Sequence, residues 1–300
     1  MYATSKIVLS ALALLLFATD LHAQAASTSP AQGRKVVLVT GSTSGLGREV
    51  ALRIAGTGAH VIIHGRDVER GQQVVAEITT AGKGTARFIR ADLASLAEVR
   101  TLGETILRDY DRLDLLINNA GIGSRVPAER SLSADGHELR FATNYLSHFL
   151  LTHMLLPRLR SSTPSRIINV SSIGQAPLDF DDIMIERDYT GTRAYGQSKL
   201  AQIMFTIDLA QQLQGSGIRV YALHPATYMD TNMVRMGGIT PRATVDEGAD
   251  AVMQLVTGDI ASGQFYDGMQ PGRANAQASD ADARAKLRAI SLRLSGLPGS

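Results

Sequence analysis

A chain of 300 residues with 44% hydrophobic and 19% charged side chains can bury a sizeable core, which excludes disorder as its overall state. Thirty basic against 28 acidic residues leave a net charge of +2, so charge gives no case for nucleic acid as the main partner. With no cysteine, disulfide frameworks, thiolate catalysis, iron–sulfur clusters and cysteine zinc sites are all excluded.

Residues 7–19 form an uncharged run of 13, preceded by Lys6. A helix needs about 20 apolar residues to span a bilayer, so this run is short for a crossing. The basic start, the short apolar stretch and Ala23-Gln24-Ala25 as a small-x-small site match a secretory signal peptide over residues 1–25. The expectation is cleavage near that site and a periplasmic or secreted product. The competing reading is a retained anchor, with membrane association through this segment and the folded domain on the cytoplasmic side. No twin arginine precedes the run, which weakens export in the folded state. Residues 26–33 (ASTSPAQG) read as a polar linker, and the folded domain is expected over residues 34–298.

From Arg34 onward, strands and helices alternate. Residues 35–40 (KVVLVT) form a compact apolar run ending at glycine, which predicts a fully buried strand. Residues 45–57 carry helical periodicity, 60–64 (HVIIH) a second β-branched run, 68–81 a helix and 85–90 (TARFIR) a strand. Residues 95–110 predict another helix, opened by Ser95 and Glu98 as a capping box. Residues 113–118 (LDLLIN) and 166–170 (RIINV) are further buried strands, and 218–223 with 264–266 complete the series. Strands separated by helix-length segments imply right-handed crossovers and a parallel sheet. No internal repeat or second composition shift interrupts the pattern. The expected fold is a single doubly wound α/β domain.

Ligands on such sheets bind outside the carboxyl ends of the strands, so the informative residues should follow strands directly. After the first strand comes Thr40-Gly41-Ser42-Thr43-Ser44-Gly45-Leu46-Gly47. Gly41 would allow the turn, while Gly45 and Gly47 would let backbone amides approach a pyrophosphate at a helix N-terminus. The spacing is G-x-x-x-G-x-G, and its place between strand and helix argues against an ordinary glycine-rich loop. The second strand ends at Gly65-Arg66, where NAD-binding folds usually carry an acid for the ribose 2′-hydroxyl. A guanidinium without a carboxylate suits a 2′-phosphate, so NADP is expected over NAD. Arg48 could add a second charge. Asp92-Leu93 follows the third strand, where it either meets the adenine or closes a turn before the helix.

Tyr195 and Lys199 stand at i and i+4, on one helix face. Bringing a tyrosine from about 10 toward 7 takes about 4 kcal/mol of anion stabilisation, which an ammonium and a cofactor's positive ring can supply. Alone, the pair is a common surface arrangement. Ser171-Ser172 after one strand and Asn118-Asn119-Ala120-Gly121 after another change the weighting, because all should converge at one sheet edge.

With these residues in view, the chain resembles the short-chain dehydrogenase/reductase family over nearly all of residues 34–298. TGSTSGLG at 40–47, NNAG at 118–121, Ser172 and Tyr195-x-x-x-Lys199 match the family's motifs in order, and Asn144 in FATNYLSHFLLT matches its catalytic-helix asparagine. Arg66-Asp67, the long segment from 172 to 195, AYGQSKLAQIMF, Leu223-His224-Pro225 and SLRLSGL resemble the retinol-dehydrogenase-like branch. The resemblance implies a Rossmann-type sheet flanked by helices. It implies that Tyr195 protonates a carbonyl oxygen, or deprotonates an alcohol, as hydride moves. Lys199 would hold the ribose hydroxyls and lower the tyrosine pKa, and Ser172 would bind the substrate oxygen. Asn144 would position a water linking Lys199 to solvent, unless it only marks a helix kink. Pro225 and Thr227 would join the cofactor-binding residues, while Ala226 departs from the family's usual Pro-Gly turn.

Other constellations carry less. His148 and His153 are five apart and do not share a face as a metal pair would, so no metal is expected. Ser171 or Ser172 with His224 lacks the G-x-S-x-G elbow of a hydrolase. Tyr189, Tyr228, Met229, Met233 and Met236 lie in two segments that either wall a substrate pocket or simply pack as loops. The expected activity is an NADP-dependent oxidoreductase acting on a small, apolar alcohol or its carbonyl, with homo-oligomerisation open. The alternatives are an epimerase or dehydratase on the same fold, and a dinucleotide-binding sensor without catalysis.

Overall fold

Alternate residues of an apolar strand face opposite sides of a sheet, so a run such as VVLV can feed two cores at once. The computed structural model describes residues 33–298 and does this from its first strand. Val36 and Leu38 of β1 (Val36–Val39) join one buried cluster, and Val37 and Val39 join the other. The leader expected over residues 1–25 lies outside the described residues, as does all but the last residue of the 26–33 linker.

The chain continues through α1 (Gly45–Gly56), β2 (His60–Gly65), α2 (Val68–Ala81), β3 (Thr85–Arg90), α3 (Leu96–Asp109) and β4 (Leu115–Asn118). A π-helical segment, Phe141–Leu146, then leads into α4 (Ser147–Ser161), followed by β5 (Ser165–Val170), α5 (Gly191–Gln212) and β6 (Ile218–His224). The short α6 (Asn232–Met236), α7 (Val245–Thr257), β7 (Gln264–Asp267), β8 (Gln270–Pro271) and α8 (Ala281–Ser295) complete it. The strands lie in the order β3-β2-β1-β4-β5-β6-β7-β8. Seven of them run parallel, as the alternation predicted, and the fold is the expected doubly wound sheet. The exception is β8, which pairs antiparallel with β7 and was not expected from the sequence.

Local chemistry explains several boundaries. Asp67 caps α2 by accepting from the Arg70 N–H, and Gly82 closes it in the left-handed conformation at φ 71°. The reciprocal box expected at α3 does not close. Ser95 accepts from the Glu98 N–H at 3.3 Å, but the Glu98 carboxylate accepts instead from Asp92 N–H and Arg90, each at 2.8 Å. A full capping box forms at α7, between Thr244 and Glu247. The strand order reverses between β1 and β4, so the crevice above their carboxyl ends is where a ligand belongs.

Candidate active site

The loop after β1 is wired mostly to its own protein. Ser42 donates to Val39 O at 2.7 Å and accepts from the His64 N–H, so its side chain ties the loop after β1 to β2. A side chain at Gly47 would strike Asn119 and the Gly41 carbonyl, and one at Gly41 would lie 2.8 Å from Ala120 Cα. These two glycines therefore serve close packing between loops, beyond any room they leave for a pyrophosphate. Ser44 precedes α1 without capping it by its side chain, and the first turn holds no acid. The leading amides of α1 are thus open to an anion.

Thr40 joins this loop to the strand beside it. Its Oγ1 accepts from the Asn119 and Ala120 amides at 2.9 and 3.0 Å and stands 3.0 Å from His148 Nε2. The other ring nitrogen, Nδ1, lies 3.0 Å from the Asn144 carbonyl, which can only accept, so Nδ1 carries the proton and Thr40 donates to Nε2. Burial pushes His148 down to about 3, in keeping with a neutral ring. His153 packs between Phe149 and Phe205 instead. Among the described residues no group of metal-ligating side chains assembles.

At the end of β2, Gly65 and Thr43 touch so closely that a Cβ at Gly65 would sit 2.6 Å from Thr43 Cγ2. Arg66 next to it has a side chain 68% exposed and, among the described residues, only Asp92 at 3.7 Å for a partner. Arg48, the other expected cation, is paired with Glu77 at 2.5 Å. Asp92 closes its turn by accepting from the Ala94 N–H at 3.0 Å. Leu93 and Leu46 turn into the core, and the fully buried Asn118 donates its Nδ2 to Thr152 and Asn169 at 3.0 and 2.8 Å. Contacts from Ser42, Leu46, Leu93 and Asn118 to a dinucleotide would therefore come from backbone atoms.

Beyond β4, a Cβ at Gly121 would lie 3.1 Å from Asn144 Oδ1 and 3.7 Å from Lys199 Nζ. Asn144 accepts from the Ile122 N–H at 2.8 Å and donates to Ser198 Oγ at 2.9 Å, tying the β4 loop to α5. It does so from the π-helical segment, where the helix is locally widened, so Asn144 also marks a helix irregularity. Beyond β5, Ser172 Oγ and the Tyr195 ring flank Gly174, at 3.4 and 3.7 Å from its Cβ position. The serine, tyrosine and lysine thus converge above β4 and β5.

Lys199 donates to Val170 O and Gln202 Oε1, both at 2.9 Å, and its Nζ stands 5.6 Å from the centre of the Tyr195 ring. Burial pushes the lysine down to about 7. Burial also pushes Tyr195 up, while the Ser172 hydroxyl beside it pulls the other way. In the free protein burial of the phenol sets the direction, and Tyr195 lies above the usual tyrosine value. The sequence reading missed Gln202, although an amide one turn beyond a catalytic-type lysine was a visible signal.

Beyond β6, Pro225 is buried, whereas Thr227 is exposed and its hydroxyl lies 3.0 Å from His224 Nε2. Ser171 donates to Lys199 O at 2.7 Å, so its hydroxyl is taken up within the fold. Met233 reaches over Gly123, Met236 is 68% exposed, and Tyr228 sits at a positive φ of 50° with Arg242 over its ring. The Tyr189 hydroxyl is bound up with Arg140 and Glu138, so it serves the wall's interior.

Comparison with known proteins agrees with this geometry. The family model for short chain dehydrogenases matches residues 35–238. Retinol dehydrogenase 13 of Homo sapiens is 35% identical over 286 residues, spanning 88% of this chain and 85% of the relative. A crystal structure from Mycobacterium paratuberculosis superposes with a TM-score of 0.75 at 31% identity, over 90% of this chain and 97% of that one. A Burkholderia cenocepacia short chain dehydrogenase in complex with NADP gives 0.63 at 27% identity, over 82% and 98%. The chain belongs to the short-chain dehydrogenase/reductase family, resembles its retinol dehydrogenases, and is an NAD(P)-dependent oxidoreductase acting on CH–OH groups.

Proposed function

We propose that the enzyme uses NADP in preference to NAD and interconverts an apolar alcohol and its carbonyl compound, with Tyr195 as general acid and base. The observation that carries this reading is the convergence of Ser172, Tyr195 and Lys199 around Gly121 and Gly174. The dinucleotide fits the residues present. The uncapped start of α1 would receive the pyrophosphate, Lys199 the ribose hydroxyls, and Arg66, free of any acid at position 65, the 2′-phosphate. A relative named for retinol and the exposed methionines Met233 and Met236 support an apolar substrate.

When bound, the nicotinamide supplies or accepts the hydride. In reduction, Ser172 donates a hydrogen bond to the carbonyl oxygen and steadies the charge growing there. Tyr195 gives its proton to that oxygen. Lys199 stabilises the resulting phenolate, and its low pKa lets it pass a proton on. Asn144, beside Gly121 as Lys199 is, would order the water that connects the ammonium to solvent. In oxidation the proton moves the other way.

The test follows NADPH and NADH absorbance with a panel of aldehydes, ketones and alcohols of increasing apolar length. Oxidation of NADPH by long apolar aldehydes, lost in Tyr195→Phe, is the expected result. Tighter binding of NADH than of NADPH would overturn the cofactor assignment. For location, we propose export with cleavage between residues 23 and 26. Amino-terminal sequencing of fractionated protein decides it, and an intact Met1 in the membrane fraction would favour an anchor.

A further inference from the structure

Three chain segments around the substrate side of the site meet on one buried arginine. Arg140, just before the π-helical segment, is 0% exposed. Its Nε donates to Gly123 O at 2.8 Å, Nη2 to Pro127 O at 2.6 Å, and Nη1 to the Tyr189 hydroxyl at 2.5 Å. Tyr189 passes the bond on, donating to Glu138 Oε1 at 3.1 Å. Glu138 Oε2 accepts from the Phe141 N–H at 2.7 Å, and the two charges stand 3.8 Å apart, both without exposure. The tyrosine hydroxyl thus serves one charge as acceptor and the other as donor.

A second feature points to the same junction. Gly191 opens α5, and a side chain there would strike the Ser124 carbonyl and come within 3.0 Å of Arg140 Nη2. The loop after β4 therefore lies directly on the start of the helix that carries Tyr195. From the other side, Arg130 donates to Ile185 O at 3.0 Å, in a segment where Ile185 and Asp188 hold positive φ. A buried ion pair contributes little net stability, because desolvation offsets attraction, so its value here is placement.

We propose that Glu138, Arg140 and Tyr189 are positioning residues of the active site. Together they lock the 122–127 loop to the start of α5 and so fix the substrate wall relative to Tyr195. This rests on the reading of Tyr195 as the proton donor. The loop's far end continues from the Asn118–Gly121 stretch, whose amides are held separately by Thr40. Loosening the lock should therefore disturb the substrate and spare the dinucleotide.

The test is Tyr189→Phe in the full chain, which keeps the ring and removes the one hydroxyl bridging both charges. KM for a long apolar aldehyde should rise about tenfold, with kcat changed less and NADPH affinity, read by fluorescence titration, unchanged. Arg140→Lys is measured beside it, since it keeps a cation next to Glu138 but cannot reach all three acceptors. It should raise KM in the same direction. A lower melting temperature with unchanged KM in both variants would overturn the proposal and leave a brace of the fold. Tyr195→Phe is assayed in parallel: activity surviving there removes the tyrosine reading, whereas the KM–kcat split in Tyr189→Phe reports on the lock.

Discussion

Two cations are buried a short way apart in this enzyme, and their surroundings differ in kind. Around Arg140 every nitrogen has an acceptor, and a carboxylate stands 3.8 Å away. Lys199 is 5% exposed and, among the described residues, donates to two neutral oxygens, on Val170 and Gln202, with no carboxylate in salt-bridge reach. The amide nitrogen of Gln202 is itself buried without a partner. A closed network holds geometry, whereas an open one leaves a charge in deficit for a ligand to complete. The contrast separates the part of the site that places from the part that reacts.

The comparison breaks or sharpens under substitution. Tyr195→Phe, on the open side, should lower turnover by about 10²–10⁴-fold while leaving the melting temperature and NADPH affinity nearly unchanged. Steady-state kinetics beside a thermal melt check it. Arg140→Met, on the closed side, should do the reverse to stability. It strands Glu138 in the core, at a cost of about 3–5 kcal/mol read from urea unfolding.

Arg66 is a third case, exposed and nearly unpartnered. Arg66→Ser should weaken NADPH about ten- to a hundredfold and leave NADH alone, as two fluorescence titrations would show. Introducing an acid at Gly65 is the less informative exchange, since its Cβ would collide with Thr43.

The smallest effect has the opposite sign. Lys199→Met should abolish turnover yet stabilise the cofactor-free protein by about 1–2 kcal/mol, because removing a buried charge outweighs the donor that Val170 O and Gln202 Oε1 lose. The lysine titrates near 7 in the fold against 10.5 outside it. Between those values the unfolded chain holds more protons, so the stability of the unsubstituted protein rises with pH there. The advantage of methionine is therefore full below pH 7 and fades toward 10.5. Melts across that range check both sign and window.

How far the sequence could foretell this depended on range. Residues 68–81 emerge as helix α2 with the predicted bounds, because Asp67 and Gly82 set both ends locally. β1, β2 and β3 were legible because β-branched runs in a doubly wound sheet have few other homes. The box at Ser95 failed because Arg90 and the Asp92 amide, upstream of the helix and outside the capping pattern, compete for Glu98. The box at Thr244 and Glu247 carried the same signal and formed, but sits beside a segment without periodicity. Two-residue β8 is too short to leave a pattern. At the site, the glycine loop, Ser172, Tyr195 and Lys199 could be read because each directly follows a strand or shares a helix turn. Tyr189 could be read only as a residue of a pocket wall or a packed loop, and Glu138 and Arg140 not at all, since nothing in a lone arginine announces that it will be enclosed.

The two ends of the sheet remain to be weighed for what they refuse. At one end β8 offers two residues, the second a proline that has no N–H to give. At the other, β3 runs six residues, but carries Arg87 and Arg90, which are tied to Asp109 and Glu98. An incoming strand from a neighbouring molecule would gain almost no ladder at the first margin and would meet fixed charge at the second. Among the described residues the sheet stops at eight strands, with margins of the kind that resist edge-to-edge aggregation.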